Sequence, residues 1–73
     1  MKLEKLKKID RFAYVRGLLK MHSIKNRQIA RYLEVTDTCV GLVLSGRRKS
    51  RRVQTAVADH LNMTFEDVWG DVA

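Results

Sequence analysis

The stretch Ile24–Gly46, IKNRQIARYLEVTDTCVGLVLSG, decides how the chain is read, and the basic run RRKSRR follows it directly at Arg47–Arg52. Its apolar residues fall at Ile29, Ala30 and Leu33, then at Val35, then at Val40, Val43 and Leu44. Two short stripes at helical spacing are thus joined by a break of a few residues, the pattern of two helices meeting across a tight turn.

Thr36 stands before the second stripe, where a hydroxyl can accept an amide proton that the first turn leaves unpaired. Gly46 stands behind it, where a left-handed residue commonly closes a helix. The second helix is therefore expected from about Asp37 to Ser45. With Val40, Val43 and Leu44 turned to a core, Asp37, Thr38, Gly41, Leu42 and Ser45 form the outer face, the candidate reading surface. Asp37 suits the positive end of the helix dipole, or accepts from a cytosine amino group in a major groove, where Leu42 could touch a thymine methyl. Gly41 costs about 1 kcal/mol against Ala inside a helix. It reads either as room for a groove wall or partner backbone, or as drift at a tolerated position. Cys39 reads as a small packing residue.

Five of the six residues after Gly46 are basic: Arg47, Arg48, Lys49, Arg51 and Arg52, with Ser50 among them. Ser50 can cap a third helix, Arg51 to about Leu61, with Val53, Ala56, Val57 and Leu61 as its core stripe. Arg51 and Arg52 then sit at a helix start, as Lys25, Asn26 and Arg27 do at the start of the first. Cations there oppose the helix dipole by about 0.3 to 1 kcal/mol each. A phosphate bound at the same place reverses the sign, because cap, dipole and guanidinium all favour it.

The formal net charge of +7 hides an asymmetry. All fifteen Lys and Arg fall in residues 1–52 beside four carboxylates, net +11, while residues 53–73 hold four carboxylates and no Lys or Arg, net −4. Such a field attracts and orients a polyanion. A merely solubilising surface is the plainer reading.

Upstream, Ile9, Phe12, Val15 and Leu19 share one helical face, with Leu18 beside it. That helix either starts at Asp10 or runs back toward Lys2 on Leu3 and Leu6. Residues 1–8, with Lys2, Lys5, Lys7 and Lys8, read as a basic arm or helix extension on phosphates, as a solvated end, or as a basic helix on an anionic membrane. Downstream, Thr64 and Asp67 form a capping-box-like pair, with Met63 and Val68 at staple positions. Phe65, Val68 and Trp69 are expected to close the core against the Phe12 helix. Tyr32 reads as a partly packed surface aromatic, and His60 as a residue that packs or favours its helix dipole.

These residues carry a resemblance. An Ala inside the first helix (Ala30) with Ile29 and Leu33 about it, a small cap on the second (Thr36), Val40 and Val43, and a Gly followed by basic residues (Gly46, Arg47, Arg48) resemble the helix-turn-helix of phage-repressor-like DNA-binding domains. With RRVQTAVADHLNM and FEDVW the similarity covers Tyr14 to Trp69. The tail resembles the small early regulators of Mu-like transposable phages. The resemblance implies an all-α bundle of about five short helices over residues 9–70 and a task in transcriptional control as a small repressor. Two departures stand out. Glu34 occupies the turn position where the family often has Gly, which implies about 1 kcal/mol of strain if it is left-handed. Asn26 and Asp37 stand where the family often has Gln, so its base code does not transfer.

Size and composition bound the rest. At 73 residues, one small domain is expected, burying about 60% of its unfolded surface and leaving little room for a catalytic cleft. One Cys makes no internal disulfide, which suits a reducing compartment. No apolar run reaches membrane-spanning or signal-peptide length, so a cytoplasmic protein is expected. His22, Cys39 and His60 lack metal-ligand spacing. Neither an enzyme nor a cofactor is expected, since no paired carboxylates, activated nucleophile or phosphate loop is found. The partner expected is double-stranded DNA, bound by a monomer or by a weak homodimer formed on DNA, with Lys25, Asn26, Arg27 and Arg47–Arg52 around phosphates. The rivals are an interaction module using Leu42, Val43 and Leu44 as an apolar patch, and single-strand binding, which wants exposed stacking aromatics.

Overall fold

Among the described residues the chain folds as five helices in sequence: α1 (Leu3–Met21), α2 (Asn26–Leu33), α3 (Asp37–Leu44), α4 (Arg51–Leu61) and α5 (Phe65–Trp69). The computed structural model describes the backbone over residues 3–70 and side chains over residues 11–70. The fold is the expected all-α bundle, and α2 and α3 form a helix–turn–helix joined by residues 34–36. α1 begins at Leu3 rather than at Asp10. Lys2, and the side chains of Leu3, Lys5, Leu6, Lys7, Lys8 and Ile9 on which the arm and stripe readings drew, lie outside the described residues.

The core is the sum of the stripes. Val15 and Leu19 from α1, Ile29, Ala30 and Leu33 from α2, Val40, Val43 and Leu44 from α3, Val53, Ala56, Val57 and Leu61 from α4, and Val68 and Trp69 from α5 are all buried. Ala58 and Gln54 join them, two positions the periodicity did not mark. Trp69 is fully buried, and its Nε1–H donates to the Gln54 carbonyl at 2.8 Å. Its ring lies 6.1 Å from that of Phe12 at a tilt of 60°. Phe65 packs against the core as expected but is only half-buried, and the Arg51 guanidinium lies over its ring 4.2 Å from the centroid. With a cation covering it, the ring gains contact without full burial.

Helix starts follow the sequence. Thr36, Ser50 and Thr64 accept from the amides of Cys39, Val53 and Asp67 at 3.1, 3.3 and 3.1 Å. The stops are more uniform than the sequence suggests. Ser23, Glu34, Gly46 and Asn62 all have positive φ, at 58, 60, 83 and 60°. Each is the left-handed residue of a Schellman motif, in which the next residue's amide reaches back five positions: Ile24 to Leu19, Val35 to Ala30, Arg47 to Leu42, and Met63 to Ala58. Ile24, Val35 and Met63 pack on the core and pin their turns. Arg47 is exposed, so the chain leaves the body at the end of α3.

Three arginines bond carbonyls at helix C-terminal ends. Arg16 donates to Leu44 at 2.7 Å, Arg52 to Leu33 at 2.9 Å, and Arg11 to Val68 at 3.0 Å. Each places a cation at the negative end of a helix.

Candidate nucleic-acid interface

α3 makes the centre of the surface. Its inner residues Val40, Val43 and Leu44 are buried, which holds the outer arc in one rotational setting. At 100° per residue the arc runs from Asp37 through Gly41, Ser45 and Thr38 to Leu42, spanning about 140°. Asp37 at one edge and Ser45 and Thr38 in the middle are exposed, while Gly41, between Asp37 and Ser45, and Leu42, at the other edge, are half-buried. The reading surface is therefore narrower than the periodicity implied. Ser45 ends the helix as its C-cap, and its hydroxyl donates to the Leu42 carbonyl at 3.0 Å. That bond uses the proton and leaves the lone pairs of the hydroxyl free to accept.

Gly41 does not face open solvent. A Cβ placed on it would meet Asn26 Nδ2 of α2 at 3.8 Å, an ordinary contact with the neighbouring helix start. Gly46 is required twice over. Its φ is +83°, and a Cβ there would lie 2.9 Å from the Phe12 ring. This glycine turns the chain out of α3 and into Arg47, Arg48 and Lys49, all exposed.

The other half of the basic run is tethered. Arg51 lies over Phe65 and Arg52 holds Leu33, yet both remain exposed. A guanidinium with five N–H donors that gives one to a carbonyl keeps four. Tethering lowers the side-chain entropy that a further contact would cost.

On the far side of Gly41, Lys25, Asn26 and Arg27 are exposed at the start of α2. Lys25 is the N-cap and provides no side-chain acceptor, whereas Gln28 Oε1 accepts from the Lys25 amide at 2.8 Å. Only one arm of a capping box is therefore made. Arg16 and Lys20 of α1 come up beside this helix start, and with Leu19, Ile24, Leu44, Gly41 and neighbours they line an open-sided cavity of about 410 Å³. The sequence reading missed both cations. Their i, i+4 spacing on either side of Leu19 was the available signal.

The structure thus brings Asp37, Thr38, Gly41, Leu42 and Ser45 onto one helix, with Arg47–Lys49 at its end and Lys25–Arg27 beside Gly41. Glu66 and Asp67 lie on α5, which packs against α1 and α4. An apolar patch of Leu42, Val43 and Leu44 does not form, because Val43 and Leu44 belong to the core. Exposed aromatics are Tyr14 and Tyr32, at 45% and 65% exposure, on different helices. Tyr32 makes a T-shaped pair with His60, with ring centroids 5.2 Å apart and planes at 82°. Among the described residues no helix is long and apolar enough to cross a membrane. No family model, curated protein or solved structure matches this chain.

Proposed function

We propose that this chain binds double-stranded DNA and regulates transcription, as a small repressor of the phage-repressor-like helix-turn-helix type. The observation that carries the reading is the pairing of an exposed polar arc on α3 with the cations projected from its C-terminal end by Gly46. α3 enters the major groove, with Thr38, Ser45 and Leu42, and Asp37 at one edge, near base edges. Arg47, Arg48 and Lys49 take phosphates on one side and Lys25, Asn26 and Arg27 on the other, with Arg51 and Arg52 behind. The charge asymmetry supports the same orientation, since a duplex is drawn to the half with net +11. Phosphate contacts supply most of the affinity and the arc supplies the selectivity.

Selection from a random duplex pool, followed by a salt titration, tests this. With about six phosphates contacted, log affinity should fall against log salt with a slope near 5. Arg48→Ala should weaken all sequences and shallow the slope by about 1, whereas Thr38→Ala should change which sequences are selected. A flat salt response, or an unchanged preference after altering Thr38, Leu42 and Ser45 together, would refute the assignment.

A further inference from the structure

The cavity between α1, α3 and the start of α2 has a composition that DNA binding does not account for. Its buried walls are Leu19 and Leu44, with Ile24 half-buried beside them, and its exposed rim carries Arg16, Lys20 and Lys25. No carboxylate is among the lining residues. Its volume of about 410 Å³ lies within the range of small-molecule sites. A phosphate of a duplex would use the rim and leave the apolar wall wet. Two features keep the space open. Gly41 contributes no side chain to the wall, and Ser23 turns the chain through a left-handed residue before Ile24 packs down.

The geometry points to a binding site here for a small amphipathic organic anion, with its carboxylate among Lys20, Lys25 and Arg16 and its hydrocarbon on Leu19, Ile24 and Leu44. Charge complementarity selects the head and the buried leucines select the tail. Lys25, Asn26 and Gly41 border both this cavity and the proposed DNA surface. Occupancy and duplex binding therefore exclude each other. That second half rests on the DNA reading, and the site itself does not.

Octanoate serves as the probe, with acetate as the head alone and octanol as the tail alone, each titrated into the 15N-labelled full chain. Octanoate should shift the amides of Lys20, Ser23, Lys25, Asn26 and Gly41 saturably, with a midpoint of about 1 mM, the range of a ten-atom ligand. Acetate and octanol should each bind at least about tenfold more weakly, and Lys20→Glu, at an exposed position, should weaken octanoate by about tenfold. At 10 mM octanoate and a Kd of about 1 mM, competition should reduce affinity for a selected duplex by about tenfold, whereas 10 mM acetate acts only through its small ionic-strength effect. Unsaturated shifts, equal binding of either control, or indifference to Lys20→Glu would overturn the site. Saturable octanoate binding with an undisplaced duplex would overturn the exclusion. A chain that binds octanoate but no duplex would refute the DNA reading and leave the site standing.

Discussion

Gly46→Ala concentrates the fold's constraints in one methyl group. The residue has φ +83°, where an L side chain costs about 1 kcal/mol. The added Cβ would also lie 2.9, 3.1 and 3.2 Å from Cε2, Cζ and Cδ2 of Phe12. Phe12 cannot swing away freely, because its ring rests against the buried Trp69 at 6.1 Å. Forcing such a contact in a packed region costs about 1 to 3 kcal/mol. The expected loss is therefore about 2 to 4 kcal/mol, a large share of the stability of a domain this size. Thermal unfolding followed by circular dichroism should show a fall of about 10 °C or more. A double-mutant cycle separates the two causes. In a Phe12→Leu background the clash is relieved, and Gly46→Ala should then cost only about 1 kcal/mol. Additive losses would refute the Phe12 argument, and a loss below about 0.5 kcal/mol in wild type would refute the left-handed turn as well.

Three further substitutions test separate steps of the same account. Gly17 lies inside α1 with nothing within 4 Å of an added Cβ, so Gly17→Ala should stabilise the fold by about 1 kcal/mol in urea titration. A destabilised variant would mean that this face of α1 is covered. Glu34→Gly should remove left-handed strain at φ 60° and raise stability by about 0.5 to 1 kcal/mol, and a loss there would disprove the turn geometry. Trp69→Phe removes the donor to the Gln54 carbonyl and opens a small void. It should cost about 1 to 3 kcal/mol, and an unchanged unfolding midpoint would show that this bond contributes nothing.

Much of the fold was legible because it rests on local rules. The stripes at Ile29, Ala30 and Leu33, at Val40, Val43 and Leu44, and at Val53, Ala56, Val57 and Leu61 are buried as their spacing requires. Thr36, Ser50 and Thr64 cap the helices they precede. Caps and stripes depend on neighbours within one or two turns, and those neighbours are written in sequence order. The left-handed stops at Ser23 and Asn62 were less visible, since neither is glycine. Their signal was the apolar residue immediately after each, Ile24 and Met63, which packs on the core.

The sequence by itself determined that the chain is helical, which faces are buried, and that its cations crowd into the first 52 residues. Tertiary structure alone decided how those cations are divided. Arg11, Arg16 and Arg52 hold the carbonyl ends of α5, α3 and α2, Arg51 covers Phe65, and Arg47, Arg48 and Lys49 project from α3. Only packing could also turn Gly41 toward Asn26 and set Arg16 and Lys20 beside Lys25. The reason is reach. A hydrogen bond or cap within a turn is fixed by spacing, whereas a long side chain finds its partner 19 to 57 residues away only after the helices have docked.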